Sequence, residues 1–584
     1  MKRALACPLF AISLCFATTS HAQWTPTGVP ACTAQNAQSV AVACPDGTGG
    51  VIVVWNDARN TYPPHSSGDT MGDLYAQRLN AAGVPQWTAN GVVICAGTLS
   101  MPATNYPPRS YPCIVSDGAG GAIIAWLDYR FDYDIYAQRV DGSGAVQWAV
   151  NGVRLTGLQQ QKNPVMTTDG TGGAIVAWMF QDEGRAYIQR INSAGIPLWA
   201  SGGIWAHLPV TFQNETVEIA SDGAGGAIVT GVGNDNVIPP ALYSDIYAQR
   251  IMSDGSNAWG FYGVKATSAF YYQQEPVIVE SNGGAIIAWR DQRATPQVYH
   301  IYAQRLDSAG AVQWAPDGVA IRTVASWGLN MVITSDGAGG AILAWDDSRT
   351  SNDFNSRDIY AQRVSIGGLP QWTPNGIAIC DLGSQQIVPK ITSDGQGGAI
   401  VAWTDERGVT SSIFAQRIQS SGTFLWPDDG LGIETNPQNQ FIDESATPTV
   451  VSDLGGGAIF VYTNNPGPNA DIFAQHVSGS GAIPTGVGPS KAPSFALSEG
   501  YPNPFSAETF FDLTLERDTR VSIDVFDATG KRVRATETER RKAGPTRLDF
   551  DGLDGHSRPL PSGIYFYRVR AGDEMMTKKI VIAR

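Results

Sequence analysis

Asp394-Gly395-Gln396-Gly397-Gly398-Ala399-Ile400-Val401-Ala402-Trp403-Thr404-Asp405-Glu406-Arg407, followed by Phe414-Ala415-Gln416-Arg417 and then Trp426, is one copy of a pattern that the chain writes eight times. Its glycine pair recurs with the second member at Gly50, Gly121, Gly173, Gly226, Gly284, Gly340, Gly398 and Gly457. Its glutamine recurs at Gln77, Gln138, Gln189, Gln249, Gln304, Gln362, Gln416 and Gln475. A chain of 584 residues is too long for one hydrophobic core, which stops growing near ~250–300 residues. Repeats remove that limit, because each unit packs only on its neighbours.

Each copy reads as four short strands. Strand A precedes the first turn, as in Pro276-Val277-Ile278-Val279. Strand B, Gly398 to Trp403 in the copy quoted, is apolar at successive positions, the pattern of a strand buried on both faces. Strand C runs from Asp358 to Val364 in the sixth copy, and strand D carries a tryptophan, as in Gln371-Trp372. Four strands in a unit of roughly 50–60 residues predict a propeller blade.

Strands A to C occur eight times. The strand D tryptophan follows them only seven times, at Trp87, Trp148, Trp199, Trp259, Trp314, Trp372 and Trp426. The eighth copy, ending Phe473-Ala474-Gln475-His476, has none. The missing segment stands at the other end of the chain, where Gln23-Trp24-Thr25-Pro26-Thr27-Gly28-Val29 matches Gln371-Trp372-Thr373-Pro374-Asn375-Gly376-Ile377. The expected fold is all-β: an eight-bladed β-propeller over residues 23–485, closed by its N-terminal strand so that no edge stays free. A straight stack of units is the competing account; it needs end caps, and no distinct caps appear. The A–B and C–D connections are uniform glycine turns. The B–C and D–A connections vary and share the opposite face, where a rigid scaffold usually carries its function.

Lys2 and Arg3, an apolar run from Ala4 to Ala17 and then Ser20-His21-Ala22 predict a secretory signal peptide over residues 1–22. The run is too short to span a bilayer comfortably, and no later segment approaches transmembrane length. The protein is therefore expected to be secreted or at the outer cell surface, where disulfides form. Five cysteines follow the signal peptide: Cys32, Cys44, Cys95, Cys113 and Cys380. Cys32 and Cys95 share one place in the repeat, and Cys44 or Cys113 follows each near the next strand. Cys32–Cys44 and Cys95–Cys113 are the expected disulfides, with the connectivity left open. Cys380 has no counterpart and reads as a buried thiol.

With 43% hydrophobic residues the chain can bury a core. Its net charge of −14 is uneven: residues 23–496 hold 39 acidic and 22 basic side chains, and residues 497–584 hold 14 and 15. An acidic ring repels phosphate backbones, which argues against a nucleic acid partner.

After a linker at residues 486–496 the period stops. Residues 497–584 contain Tyr501-Pro502-Asn503-Pro504-Phe505, Val521-Ser522-Ile523-Asp524-Val525-Phe526-Asp527, Gly530-Lys531, Leu560-Pro561-Ser562-Gly563-Ile564-Tyr565-Phe566-Tyr567 and Thr577-Lys578-Lys579-Ile580-Val581-Ile582. Short alternating strands with turn signals predict a small β-sandwich. These motifs, in this order, resemble the C-terminal sorting domain of the bacterial type IX secretion system. They are also similar to the immunoglobulin-like domain of the flagellar hook-capping protein and of secreted proteases. The resemblance implies that the tail engages the secretion machinery and routes the protein across the outer membrane. The repeats look like those of uncharacterised secreted bacterial propeller proteins, which implies architecture and no chemistry.

Trp-x-Asp-x-Arg occurs as Asp57/Arg59, Asp128/Arg130, Asp291/Arg293, Asp347/Arg349 and Asp405/Arg407. A ring of ligand-binding charges on the variable face is one reading. A structural pair within each blade, repeated because the blade is repeated, is favoured, since catalysis needs a unique constellation and bidentate geometry suits such pairs. Asp-Gly-x-Gly-Gly offers one carboxylate where calcium wants several, so it reads as a turn. The histidines show no zinc spacing, and neither a nucleophile elbow nor a phosphate-cradling loop occurs. No metal or other cofactor is expected.

The variable connections carry Tyr62, Tyr106, Tyr111, Phe131, Tyr133, Phe270, Tyr271, Tyr272 and Trp327, candidates for sugar stacking or a protein hot spot or for packing on the rim. Repeat four departs most, with Gly231-Val232-Gly233-Asn234 in place of the Trp-x-Asp-x-Arg motif. The leading reading is a secreted or cell-surface propeller, monomeric, that binds a carbohydrate or protein ligand. The alternatives are a glycosidase- or sialidase-like hydrolase with acids gathered at the ring mouth and a passive repeat protein of the envelope. A hydrolase predicts one cluster of non-repeated acids with perturbed pKa values, a binder predicts an aromatic or charged patch, and a passive protein predicts neither.

Overall fold

A computed structural model describes residues 24–483 and 495–584, except 61–72, 97–111, 129–132, 158–159, 181–183, 210–216, 234–243, 295–297, 325–329, 350–355, 409–410, 435–438, 442–449 and 466–469 in the first span and 499, 516–518, 528–531, 536–538, 556 and 572–573 in the second. The expected signal peptide at 1–22 and residues 486–494 of the expected linker lie outside the described residues. The chain divides into two compact units, Met1–Gly486 and Val487–Arg584. Every regular element among the described residues is a β-strand.

In the first unit each repeat folds into its own antiparallel sheet, in the order A-B-C-D. The first sheet comprises Gln38–Pro45, Val51–Asp57, Asp73–Leu79 and Val92–Cys95. Strand B sits second in the sheet with neighbouring sheets on both faces, so all seven residues of Val51–Asp57 are buried and the run needs no polar alternation. The eighth sheet borrows its outer strand, Val29–Cys32, from the start of the chain. Val29 lies opposite Ala474 and Pro30 opposite Phe473, in antiparallel register.

Apolar clusters fill the spaces between successive sheets. Ile52, Val54 and Leu74 of the first pack with Ile124, Trp126 and Tyr136 of the second. The series runs on to Ile400 and Ala402 of the seventh, which pack with Phe460 and Tyr462 of the eighth. A further cluster joins the two ends: Val51, Val53 and Trp55 of the first sheet pack with Ile459, Val461 and Ala474 of the eighth and with Trp24 and Val29.

Two side chains fix the sheets. The tryptophan expected in strand D lies in the segment leading into it: the Trp87 indole Nε1 donates to the Gly142 carbonyl, in the C–D hairpin of the following sheet, at 3.1 Å. Trp372 reaches Ser420 at 3.1 Å, and Trp426 reaches Gly479 at 3.3 Å. Trp24 makes the same bond to Ala81 of the first sheet at 2.9 Å. The hairpin glycine permits this approach, for a Cβ on Gly83 would stand 2.8 Å from the Trp24 ring. Within each sheet the buried glutamine ties strand C to strand D. Gln77 Oε1 accepts the backbone N–H groups of Arg78 and Trp87, and its amide donates to the Thr88 carbonyl. Gln475 donates likewise to Thr25, 450 residues away in sequence.

The repeats also alternate. In sheets one, three, five and seven strand A carries a bulge opposite the strand B tryptophan, with Val40, Asn163, Glu275 and Val388 at positive φ. A β-branched residue at φ +52°, as in Val40, is a strained position that the surroundings must hold. In these sheets the strand begins at Gln38, Gln161, Gln273 or Gln386, whose N–H donates to a carbonyl of the preceding sheet's repeat: Ala470, Tyr133, Ser244 or Arg357. These bonds tie the eighth sheet to the first, the second to the third, the fourth to the fifth and the sixth to the seventh.

The second unit holds a three-stranded and a five-stranded antiparallel sheet around one core that includes Phe511, Leu513, Tyr567 and Ile580. Phe511 stacks on Tyr567 at 3.8 Å between ring centroids. The Asn503 side chain accepts from Val581 N–H at 2.8 Å, which binds the Tyr-Pro-Asn-Pro-Phe segment to the last strand.

Trp24→Ala removes a side chain that is 3% exposed, and such a truncation costs roughly 3–5 kcal/mol. Equilibrium denaturation should show this loss in full. A loss no larger than that of Val150→Ala, at a site 84% exposed, would mean that the N-terminal segment is not seated in the eighth sheet.

Candidate functional site

The repeated Asp–Arg pairs face inward. Asp57 is fully buried and receives the Trp55 indole N–H at 2.8 Å, the Arg59 backbone N–H at 2.9 Å and the Arg59 guanidinium through Nε at 2.8 Å and Nη2 at 2.5 Å. The guanidinium lies 3.8 Å from the centroid of Tyr75 and donates onward to the Asn90 carbonyl. The fifth, sixth and seventh sheets repeat this arrangement. Arg349 grips Asp347, and Arg407 grips Asp405. Arg293 grips Asp291 through Nε at 2.9 Å and Nη2 at 2.6 Å and lies 3.7 Å from the centroid of Tyr302. Asp128 accepts from Trp126, while Arg130 lies outside the described residues.

Each described Asp–Arg pair forms within its own sheet, and the guanidinium has further partners, which Arg293 makes plainest. Its Nη2 also donates to the Asp317 carbonyl of its own sheet at 2.8 Å and to Thr267 Oγ1, at the end of strand D in the preceding sheet, at 3.4 Å. Arg293 is therefore the partner of Asp291 and also a half-buried link between sheets four and five. The physical reason is the donor count of guanidinium, which exceeds what one carboxylate accepts. Arg59 and Arg407 spend the surplus in the same direction, on Cys32 and Cys380 of the preceding sheets. Asp347 receives Arg322 from strand D of the preceding sheet at 2.8 Å, with both side chains fully buried. Burial pushes the Asp347 carboxyl up, but the Arg349 hydrogen bonds and the charges of both arginines outweigh it and hold it below the usual carboxylate range.

A second set of pairs sits at the glycine turns. Asp46 accepts the N–H groups of Thr48 and Gly50 on one oxygen and Arg78 Nε at 3.0 Å on the other. A Cβ on Gly50 would meet the Leu79 carbonyl at 2.3 Å, so only glycine fits there. With both oxygens engaged, the turn carboxylate serves the backbone. No group of three or more ligating side chains arranged to hold a metal occurs among the described residues.

The expected disulfides are corrected: none of these five cysteines forms a disulfide. Ala43 and Cys44 are neighbours on one strand and point to opposite faces. Ala43 joins Cys32 between the eighth and first sheets, whereas Cys44 lies between the first and second. Cys95 shares that second space, while Cys113 packs between the second and third sheets and donates to the Ala125 carbonyl. Cys32, Cys95 and Cys380 instead end strand D with their sulfurs 3.7, 3.9 and 4.0 Å from Asp57, Asp128 and Asp405 of the next sheet. Burial pushes the Cys32, Cys113 and Cys380 thiols up to about 12 and raises Cys44 as well.

Of the aromatic candidates, Tyr62, Tyr106, Tyr111, Phe131 and Trp327 lie outside the described residues. Tyr133 packs against the cluster between sheets two and three. Tyr271 and Tyr272 are half-buried, and Phe270 is 78% exposed. In repeat four, Gly233 stands where five other repeats carry Asp, as at Asp57 and Asp405. A Cβ there would fall 2.7 Å from the Tyr247 ring and 2.8 Å from the Pro209 carbonyl, so the lost ion pair is replaced by close packing.

Two features escaped the motif search. Trp205, His207, Phe261 and Tyr262 form a ring cluster at strand D of sheets three and four: Trp205 stacks on His207 at 4.1 Å, and Phe261 meets His207 at 4.6 Å and Tyr262 at 4.7 Å. Glu218 and Lys390 occupy one register on strand A of sheets four and seven, opposite the residue before the tryptophan position. Burial pushes the Glu218 carboxyl up to about 7 against the pull of Lys390. Aligning the repeats column by column would have exposed both as departures. A cavity of about 470 Å³ lies at the glycine-turn ends of the inner strands of sheets one to three, lined by Cys44, Ile114, Val115 and Met166 among others. Uniform turns bound it rather than the variable connections.

Residues 499–583 match the family model for a secretion system C-terminal sorting domain. This tail marks the protein for export, to the cell surface or as a secreted product. No helix among the described residues is long and apolar enough to cross a membrane. A search of curated proteins finds no match. Among solved structures the chain is similar to an exo-β-1,3-galactanase from Phanerochaete chrysosporium, at 10% identity over 62% of this chain and 95% of that one, with a TM-score of 0.25. It is similar to Porphyromonas gingivalis dipeptidyl peptidase 4, at 11% identity over 84% and 65%, with a TM-score of 0.39. It is also similar to the polysaccharide lyase Uly1, at 10% identity over 69% and 94%, with a TM-score of 0.35. TM-scores this low carry no argument about activity.

Denaturation without reductant should render Cys32, Cys44, Cys95, Cys113 and Cys380 alkylatable, with negligible labelling of the native protein over the same interval. A mass showing fewer added groups would restore a disulfide. Asp46, Asp169, Asp347 and Asp453 all titrate below their ordinary value. Their stabilisation is present above the unfolded carboxylate pKa of about 3.9 and is lost as pH falls through the lower folded values. The melting temperature should therefore fall steeply below about pH 4 from a plateau near pH 5. Asp46→Asn should lower the plateau and reduce that fall.

Proposed function

We propose that residues 23–485 form an eight-bladed propeller closed by the N-terminal strand, followed by an immunoglobulin-like sorting module at 497–584, and that the exported protein binds a carbohydrate or protein ligand. The observation that carries this reading is that the repeated charges are consumed internally. Every described Trp-x-Asp-x-Arg and glycine-turn carboxylate is turned toward its own indole, arginine or backbone donors, leaving the repeats as scaffold. What distinguishes one sector from another is then local departure from the pattern, and the most extensive described departure is aromatic.

One observation favours the hydrolase alternative: Glu218 is a non-repeated acid whose carboxyl burial pushes up to about 7, the direction a general acid requires. A panel of glycoside and peptide substrates, run beside a glycan and protein-ligand array on the exported chain, separates the two. Binding without turnover, unchanged by Glu218→Gln, is expected. Turnover that falls by about 10²-fold or more in Glu218→Gln, the scale of general acid catalysis, would replace the binding reading with the hydrolytic one.

A further inference from the structure

We propose that the Trp205–His207–Phe261–Tyr262 cluster is a binding platform for a neutral glycan. The proposal rests on the binding-protein reading and gives it a site and a ligand class.

The repeats supply their own control. At the Trp205 position the other sheets carry Pro30, Val93, Arg154, Lys265, Ala320, Ala378 and Gly432; at the Phe261–Tyr262 position they carry pairs such as Ala89–Asn90, Val150–Asn151 and Pro374–Asn375. None of these is aromatic. Aromatic substitutions on two neighbouring sheets converge on one spot, where packing of the common scaffold does not call for them.

They converge at a structural cost. In four other sheets the Asn or Asp of this turn caps the end of the preceding sheet's strand D: Asn90 accepts Thr33 N–H at 3.0 Å, Asn151 accepts Ala96 at 3.0 Å, Asp317 accepts Ser268 at 2.7 Å and Asn375 accepts Thr323 at 2.8 Å. Tyr262 has no side-chain acceptor in that place, so this cap is forgone. Phe261 and Tyr262 are left 61% and 54% exposed. His207 takes φ +51°, a left-handed conformation that a non-glycine residue rarely adopts. Trp205 Nε1 and His207 Nδ1 are buried with no hydrogen-bond partner. The Arg185 guanidinium lies 4.8 Å from the Trp205 ring centre. Trp205 and His207 thus form the floor, and Phe261 and Tyr262, set at 85° to each other, form the accessible surface.

The chemistry selects the ligand. Exposed ring faces are electron-rich and suit the polarised C–H face of a sugar, with the Tyr262 hydroxyl beside them for a sugar hydroxyl. The excess of acidic over basic residues in 23–496 disfavours polyanions. A stable protein interface takes roughly 800 Å² from each partner. The corresponding positions on nearby sheets are Arg154, Lys265 and Ala320, so the platform ends within a few rings, the footprint of one or two sugar units.

The test uses the full exported chain and an array of neutral oligosaccharides (glucans, galactans, mannans), with uronic-acid polymers and protein ligands as comparators. Neutral glycan binding is expected, weakened at least tenfold in Phe261→Ala/Tyr262→Asn. Tyr262→Asn installs the residue that other repeats carry, so the melting temperature should not fall. Hydrogen exchange gives a readout independent of any variant: saturating glycan should slow exchange in segments 203–208 and 258–264. Glycan binding that persists in the double variant, or slowed exchange only elsewhere, would overturn the site and leave the binding-protein reading intact. Preference for uronic-acid polymers, or binding of a protein and no glycan, would overturn the ligand class. Absence of any ligand would overturn both.

Discussion

Each tryptophan in the segment leading into strand D gives its indole N–H to a carbonyl of the next sheet, and the rest of the first unit depends on that contact. In most repeats the same carbonyl accepts a second donor, the strand C arginine: Ser253 receives Trp199 and Arg190, Ser308 receives Trp259 and Arg250, and Gly479 receives Trp426 and Arg417. Both lone pairs of the oxygen are then used. Because that arginine is also anchored to the glycine-turn aspartate, the sheet edge, the turn and the next hairpin form one connected network. Breaking such a buried pair leaves a charge uncompensated, and that costs more than the pair itself contributes. The ion pairs therefore act as spacing devices, while the tryptophans and the apolar clusters supply the burial.

At the point where the start of the chain meets its end, the network is modified. His476 replaces the arginine, bonds Asp453 at 2.8 Å and packs near Trp24 at 5.7 Å between ring centroids. Imidazole is too short to span to the next hairpin as guanidinium does, and Trp24 alone is bonded to Ala81. Here the break in the covalent chain lies inside the eighth sheet, between Asp471–Val477 and Val29–Cys32, and beside it one directional bond is replaced by ring contact. The hydrogen bond from Gln475 to Thr25 and the register of Val29–Cys32 make up the difference.

Much of this was legible in the sequence because it is written eight times. Glycine pairs, the buried glutamine and the tryptophan count predicted four-stranded units and the transfer of one strand from the N-terminus. The cysteines misled because spacing along a chain says nothing about which face of a strand a side chain occupies: one residue, from Ala43 to Cys44, moves a thiol into a different intersheet space. The outward reach of Arg293 to the preceding sheet was hidden for a related reason, since a motif names the partner two residues away and is silent on the strand end that lies across the gap. The bulge and the strained backbone at Val40 and Val388 lie in strands that each open on a glutamine, as at Gln38 and Gln386, a mark that a search for motifs common to every repeat passes over. The aromatic cluster was overlooked because a search for motifs rewards recurrence, and Phe261, Tyr262 and Trp205 are informative only as exceptions.

That last point sets how function is to be sought in a repeat protein. A residue present in every sector is explained by the sector, since whatever stabilises one unit stabilises all. The Asp–Arg pairs, exposed on paper as a ring of charges, dissolve into such an explanation once their partners are seen. A residue that breaks the pattern and is compensated locally, as Gly233 is by Tyr247, is neutral drift in physical terms. A residue that breaks the pattern and leaves a deficit is different. Tyr262 forgoes a cap, His207 holds a strained φ, and two buried nitrogens go unbonded around them. Stability alone would remove each of these, so the deficits are what an energetic argument about the fold cannot absorb and what a bound ligand would offset.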